Sequence, residues 1–201
     1  MFISFEGGEG AGKSTQIRLA ADWLGNRAKI CITREPGGAP EAEAIRDLLV
    51  NGDVSRWSPE AEALLMYAAR DAHVRQTIRP ALAQGQIVLC DRFMDSTRAY
   101  QQYAGGAPAA LIDALEASII GDMRPDITLI FDMDPSLGLS RAKARGGEDR
   151  FERKGLAFHQ ALREGFLAIA AAEPKRCVVV DASGSIEDIA AQIRMILEAR
   201  L

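Results

Sequence analysis

Eight residues near the amino terminus, Gly7-Gly8-Glu9-Gly10-Ala11-Gly12-Lys13-Ser14, constrain this chain more than any other feature. They have the spacing G-x-x-x-x-G-K-[ST] and stand between an apolar run, Phe2 to Phe5, and a stretch of helical period that begins near Thr15. Glycines at these offsets let the backbone point successive N–H groups at one anion, and the following helix adds its positive end. Lys13 can reach the β and γ phosphates of a nucleotide, and the Ser14 hydroxyl suits Mg2+. A strand, a phosphate loop and a helix in that order are the opening of an α/β fold.

The rest of the chain agrees with that opening. Short apolar runs recur at Ala28 to Thr33, Ile87 to Cys90, Ile127 to Phe131 and Cys177 to Val180, separated by longer helical patterns. Their nearly continuous hydrophobicity predicts strands of a parallel sheet buried on both faces. Helix starts are marked by Ser58-Pro59-Glu60, by Asp134-Pro135, and by Ser185 with Asp188, which resembles a capping box. The expected architecture is a three-layer α/β fold of the phosphate-loop NTPase type: a five-stranded parallel sheet flanked by helices, in one domain spanning 1–201. Two stretches escape the alternation. Arg34 to Pro40, with two prolines and two glycines, is a loop directly after a strand, and Ala144 to Gly155 reads as a mobile, positively charged flap, a lid over about 144–155. Ligands of open α/β sheets bind beyond the carboxyl ends of strands, which directs attention to the loops after the first three.

Composition removes several classes. A net charge of −4 argues against a protein held to nucleic-acid polymers by phosphate neutralisation, so any anion site is local. No apolar run approaches the ~18 residues of a membrane span, and the start has no secretory pattern, so the expected location is cytoplasmic. Cys31, Cys90 and Cys177 are odd in number and lack C-x-x-C spacing, which predicts buried reduced thiols. His73 and His159 lie in helical patterns and read as structural or solvent-facing.

Asp91-Arg92 closes the third strand. An acid there can hold a magnesium-bound water and an arginine can bind an acceptor phosphate, although a strand-end hydrogen bond and a surface ion pair explain the two residues as well. Met66 and Arg70, four apart on one helix face, suit the face and edge of a planar base; core packing and a surface salt bridge are the alternatives. A dinucleotide fold lacks its G-x-G-x-x-G, a protein kinase its H-R-D and D-F-G, and a guanine switch its N-K-x-D. Asp181-Ala182-Ser183-Gly184 fits D-x-x-G but follows the last strand.

Four longer motifs stand out together: Phe-Glu-Gly-Gly-Glu-Gly-Ala-Gly-Lys-Ser at 5–14, Thr-Arg-Glu-Pro-Gly-Gly at 33–38, Tyr-Ala-Ala-Arg at 67–70 and Asp-Arg-Phe at 91–93. Ser96-Thr97, Tyr100-Gln101, Arg-Pro-Asp at 124–126 and the flap Arg145 to Glu152 continue the series. On these residues the chain resembles, nearly end to end, bacterial thymidylate kinases. The resemblance implies phosphorylation of dTMP by ATP with Mg2+, by a homodimer. It makes Lys13, Arg92, Arg150 and Glu9 catalytic, with Glu9 facing the acceptor 3′-hydroxyl and Arg150 closing from the lid on the transferring phosphoryl group. ATP would take Gly7, Gly8, Glu9, Gly10, Ala11, Gly12, Lys13, Ser14 and Thr15, with Arg145 against adenine; Ser14 and Asp91 would serve the metal. The acceptor would be surrounded by Arg34, Glu35, Pro36 and Arg46. Arg70 would bond the thymine edge near Ser96, Thr97 and Gln101, and Tyr100 would crowd the sugar 2′ position. One departure stands out: the family usually has phenylalanine where this chain has Met66, whose thioether can still cover a ring face. Tyr67 is not expected to compensate, because adjacent helical residues point about 100° apart. Another small-molecule or nucleoside monophosphate kinase on the same scaffold, such as one for guanylate, shikimate or dephospho-CoA, is the competing expectation.

Overall fold

A computed structural model describes residues 1–146 and 150–200, with the backbone alone at Arg145. The five strands are β1 (Phe2–Gly7), β2 (Ile30–Arg34), β3 (Ile87–Asp91), β4 (Ile127–Asp132) and β5 (Cys177–Asp181). All neighbours are parallel, in the order β2-β3-β1-β4-β5. That order sets the loops after β2, β3 and β1 side by side, and it positions the site.

Helices cover both faces. On one, α1 (Lys13–Leu24) and α9 (Ile186–Glu198) pack Ile17, Leu24, Ile189 and Ile193 on Ile3, Phe5, Leu89 and Leu129. On the other, α3 (Pro59–His73) and α8 (Leu156–Ala172) lie over Phe2, Val88, Cys90 and Ile130. The remaining helices are α2 (Pro40–Val50), α4 (Arg79–Ala83), α5 (Met94–Thr97), α6 (Ala109–Leu115) and α7 (Pro135–Arg145). Wider π-helical turns at Val74–Ile78, Arg98–Tyr103 and Glu116–Ile120 extend α3, α5 and α6.

The helix starts form where the sequence marks them. Ser58 Oγ accepts from Ala61 N, and Asp134 Oδ1 accepts from Ser136 N at 2.8 Å. At α9 the capping box is altered: Ser185 Oγ accepts from Asp188 N, and it donates to the Asp188 carboxylate at 2.6 Å. Asp126 of the Arg-Pro-Asp run accepts from Phe2 N at 2.7 Å and so pins the start of β1.

Two expectations are corrected, one on the edge strands and one on Cys31. β2 and β5 are edge strands, and Ile32 is 53% and Val179 43% exposed, so continuous apolarity did not mean burial on both faces. β1 is buried throughout but carries Ser4 and Glu6 toward α8, where Ser4 Oγ bonds Thr128 Oγ1 and Glu6 bonds the turn after β3. Cys31 is only half-buried, whereas Cys90 and Cys177 are buried and all three are free. Both histidines are buried. No described helix is long and apolar enough to cross a membrane.

Candidate active site

The phosphate loop needs backbone that other residues adopt poorly. Gly7, Gly10 and Gly12 have φ of 132°, 68° and 84°, and Gly12 starts α1. Gly10 also packs on Gly138 of α7 so closely that a Cβ on either would strike the other segment's carbonyl. Inside the loop Lys13 Nζ donates to the Gly7 and Gly8 carbonyls at 3.1 and 2.9 Å. Burial, with the nearby Arg92 charge, lowers its pKa to about 8. Ser14 Oγ donates to Asp91 Oδ2 at 2.9 Å, while Asp91 Oδ1 is buried with no partner. Two hard oxygen groups, one of them unsatisfied beside a phosphate loop, fit a magnesium ion that keeps several waters.

The turn after β3 presents a second cation. Arg92 is the one described non-glycine residue with positive φ, 69°. That conformation is held by Arg92 N donating to Phe5 O and by Phe93 N donating to Glu6. Its guanidinium donates to Gly7 O at 2.8 Å, to Glu9 Oε1 at 2.8 Å and, more weakly, to Ser96 Oγ at 3.3 Å. Tyr100 OH also donates to Glu9 Oε1, at 2.5 Å. Burial raises the Glu9 pKa, but the Arg92 and Lys13 charges and the Tyr100 hydroxyl outweigh it and hold the carboxyl near 2. Glu9 therefore remains an ionised acceptor. The Tyr100 ring meets Phe151 and Phe166 edge-on.

Glu9, Lys13, Ser14, Asp91, Arg92, Ser96, Tyr100 and Phe151 line one cleft of about 380 Å³. Its far wall is polar in a specific way. Arg70, 2% exposed, donates Nε–H to Glu35 at 2.7 Å and both hydrogens of one terminal nitrogen to Phe93 O and Thr97 Oγ1. Its other terminal nitrogen, Nη1, has no partner. Gln101, 1% exposed, donates Nε2–H to Glu62 at 3.0 Å, and its Oε1 has no partner. The cleft is thus walled by a spare buried donor and a spare buried acceptor. Glu35 is further tied to His73 Nδ1 at 2.9 Å, so its carboxylate fixes Arg70 and does not face the cleft unpartnered. Met66 lines the cleft; Tyr67 is core, beneath the Arg70 guanidinium at 4.6 Å.

Glu9 to Thr15, Arg34, Glu35, Pro36, Arg46, Met66, Arg70, Asp91, Arg92, Ser96, Thr97, Tyr100 and Gln101 are brought together around the cleft. Arg34 is paired with Glu43, and Arg46 donates to Pro36 O. Arg150 is placed elsewhere. Its guanidinium is fully buried and donates to Leu49 O, Val54 O and Glu62, the last at 2.6 Å. The described end of the flap is accordingly no free cationic arm: Leu49 O in the last turn of α2, Val54 O in the loop after it and the Glu62 carboxylate take Nε and Nη1, while Nη2 is buried without a partner. The Arg145 side chain and residues 147–149 lie outside the described residues. Sequence reasoning missed Glu6, Glu62, Gly138, Arg141 and Phe151. Only Glu62 had a local signal, standing four residues before Met66 and eight before Arg70 on one helical face.

Comparison with known proteins agrees with this geometry. The family model described as thymidylate kinase matches residues 5–193. A thymidylate kinase of Caulobacter vibrioides is 59% identical over all of this chain and 97% of its own length. One of Rhodopseudomonas palustris strain BisB18 is 51% identical over all of this chain and 89% of its own. The crystal structure of thymidylate kinase from Ehrlichia chaffeensis superposes with a TM-score of 0.81 at 34% identity, covering 98% of each chain. With the family model matched over residues 5–193 and a relative 59% identical over the whole chain, this chain, with its phosphate loop, arginine turn and polar-walled cleft, belongs to the thymidylate kinase family.

Proposed function

We propose that this chain, as a single domain with a lid over about 144–155, transfers the γ-phosphoryl group of ATP to the 5′-phosphate of dTMP. An acceptor phosphate oxygen bonds to the γ-phosphorus, the bond to the β–γ bridging oxygen breaks, and dTDP and ADP leave. The observation that carries the substrate reading is the orphaned pair on the cleft wall, the Arg70 Nη1 donor and the Gln101 Oε1 acceptor. A 4-oxo pyrimidine with a proton on N3 offers the matching acceptor and donor; cytosine offers the reverse.

Catalysis here is alignment and charge neutralisation. The loop N–H groups and Lys13 bind the donor phosphates, and Arg92, held against Gly7 and Glu9, faces both phosphates. A magnesium ion held through Ser14 and Asp91 supplies further charge neutralisation on the donor phosphates. Ionised Glu9 accepts the acceptor's 3′-hydroxyl, and the Tyr100 ring, fixed by Phe151 and Phe166, walls off a 2′-hydroxyl. Arg150 is bound to Glu62, and closing from the lid on the transferring phosphoryl group would require it to leave that pair. We assign the protein to the cytoplasm and to a homodimer, for which Leu64, 52% exposed on α3, offers an apolar contact; sedimentation equilibrium showing a monomer at micromolar concentration would remove that assignment.

The test is ADP production with dTMP, dUMP, dCMP, dGMP and shikimate offered in parallel. The expected order has dTMP first and dUMP distant. Equal rates across the acceptors would overturn the base assignment.

A further inference from the structure

We infer that Glu62 is a positioning residue that sets the hydrogen-bond polarity of the base pocket, by fixing which end of the Gln101 amide meets the substrate. The inference rests on the reading of the cleft as a thymine site, and it concerns a residue that is not among those sequence analysis assigned to that site.

The carboxylate of Glu62 is 1% exposed and has partners on both oxygens. Oε1 accepts from Arg150 Nη1 at 2.6 Å and lies 3.7 Å from Lys154 Nζ. Oε2 accepts from Gln101 Nε2 at 3.0 Å. Paired with a guanidinium, this group is an acceptor only. A primary amide is nearly symmetric in shape, so packing alone does not choose between its two orientations; the partner does. With Gln101 turned over, its carbonyl oxygen would sit against a buried carboxylate and two acceptors would share no proton. Glu62 thus consigns Nε2 to the wall and leaves Oε1 as the group on the cleft side, where it is buried without a partner.

The acceptor complements Arg70, whose orientation is fixed as firmly. Nε and one terminal nitrogen are committed to Glu35, Phe93 O and Thr97, leaving Nη1 as the only spare donor on that guanidinium. One carboxylate therefore fixes the donor of the pair and another fixes the acceptor. Glu35 and Glu62 do not touch the base in this arrangement; they decide what it meets. Glu62 also ties the described end of the flap, through Arg150 and Lys154, to the wall that reads the base.

The experiment compares dTMP with 5-methyl-dCMP, which has the same shape and differs in polarity at N3 and position 4. In the wild type, kcat/KM should favour dTMP by about a thousandfold or more, because rejected groups would be buried unpaired. In Glu62→Gln the neighbour can donate or accept, Gln101 is free to turn, and the preference should narrow by about tenfold or more, through a lower KM for 5-methyl-dCMP. The kcat for dTMP should stay within a few-fold. Arg150→Lys, which keeps both a cation and Glu62, should leave the ratio unchanged. If Glu62→Gln does not fold, the double variant Glu62→Gln with Arg150→Met removes both buried charges together and should narrow the ratio equally. A folded Glu62 variant with the wild-type ratio overturns the inference, and so does an Arg150→Lys variant whose ratio shifts as much as that of Glu62→Gln. Failure of the wild type to prefer dTMP at all instead overturns the substrate reading.

Discussion

Lys13 is where stability and chemistry pull in opposite directions. Its side chain is 7% exposed, and burial together with Arg92 lowers its pKa from 10.5 to about 8. A pKa lower in the folded than in the unfolded chain means that the native state binds this proton less well. The charged form therefore destabilises the fold below about pH 8, and that penalty fades as pH rises from about 8 toward 10.5. At ~1.4 kcal/mol per pKa unit, the shift from 10.5 to about 8 corresponds to about 3 kcal/mol. Lys13→Met retains most of the stem and removes the charge. Urea denaturation at pH 7 should find the variant about 1–3 kcal/mol more stable than the wild type, with the difference vanishing near pH 10.5. Turnover should fall by about a thousandfold or more, and ATP should no longer raise Tm, because the group awaiting the triphosphate is gone. A variant less stable than the wild type at pH 7 would refute the reasoning. It would mean that the bonds to Gly7 and Gly8 make the ammonium a brace of the loop.

Two further outcomes follow from buried groups at the site. Burial, then the Asp95 charge, raises the Glu6 pKa from 4.5 to about 8, so the native state keeps a proton that the unfolded chain releases. Stability from this group is full below about pH 4.5 and is lost as pH rises to about 8, a change on the order of 5 kcal/mol. Glu6→Gln carries no such charge, so its advantage over the wild type should grow between pH 5 and pH 8 in denaturant titrations; a constant difference would contradict the shift. Met66→Phe replaces a thioether with a ring on the half-buried cleft wall, and the KM for dTMP should fall roughly two- to fivefold with kcat little changed. A rise in KM would show that the cleft is fitted to methionine.

The parts of the fold legible in the sequence were those whose signal is local. The glycine spacing at 7–12, the caps at Ser58 and Asp134, and the runs that became β1, β3 and β4 all depend on neighbours a few residues away. Edge position is different. Ile32 and Val179 look like interior strand residues, and only the order in which strands pair decides that one face of each meets solvent. The base wall shows the same division. Arg70 and Gln101 were found by their motifs, but which of their atoms remain spare depends on Glu35 and Glu62, which lie 35 and 39 residues away in sequence. The lid motif likewise gave Arg150 a charge without a direction, and the buried carboxylate of Glu62 supplied the direction.

The most direct test of the account is a crystal structure with dTMP and a non-hydrolysable ATP analogue bound together. The expected map has the triphosphate wrapped by residues 7–15, thymine O4 on Arg70 Nη1, and thymine N3 on Gln101 Oε1. A pyrimidine lodged away from Arg70, or a phosphate loop without the triphosphate while the nucleotide sits elsewhere, would contradict it.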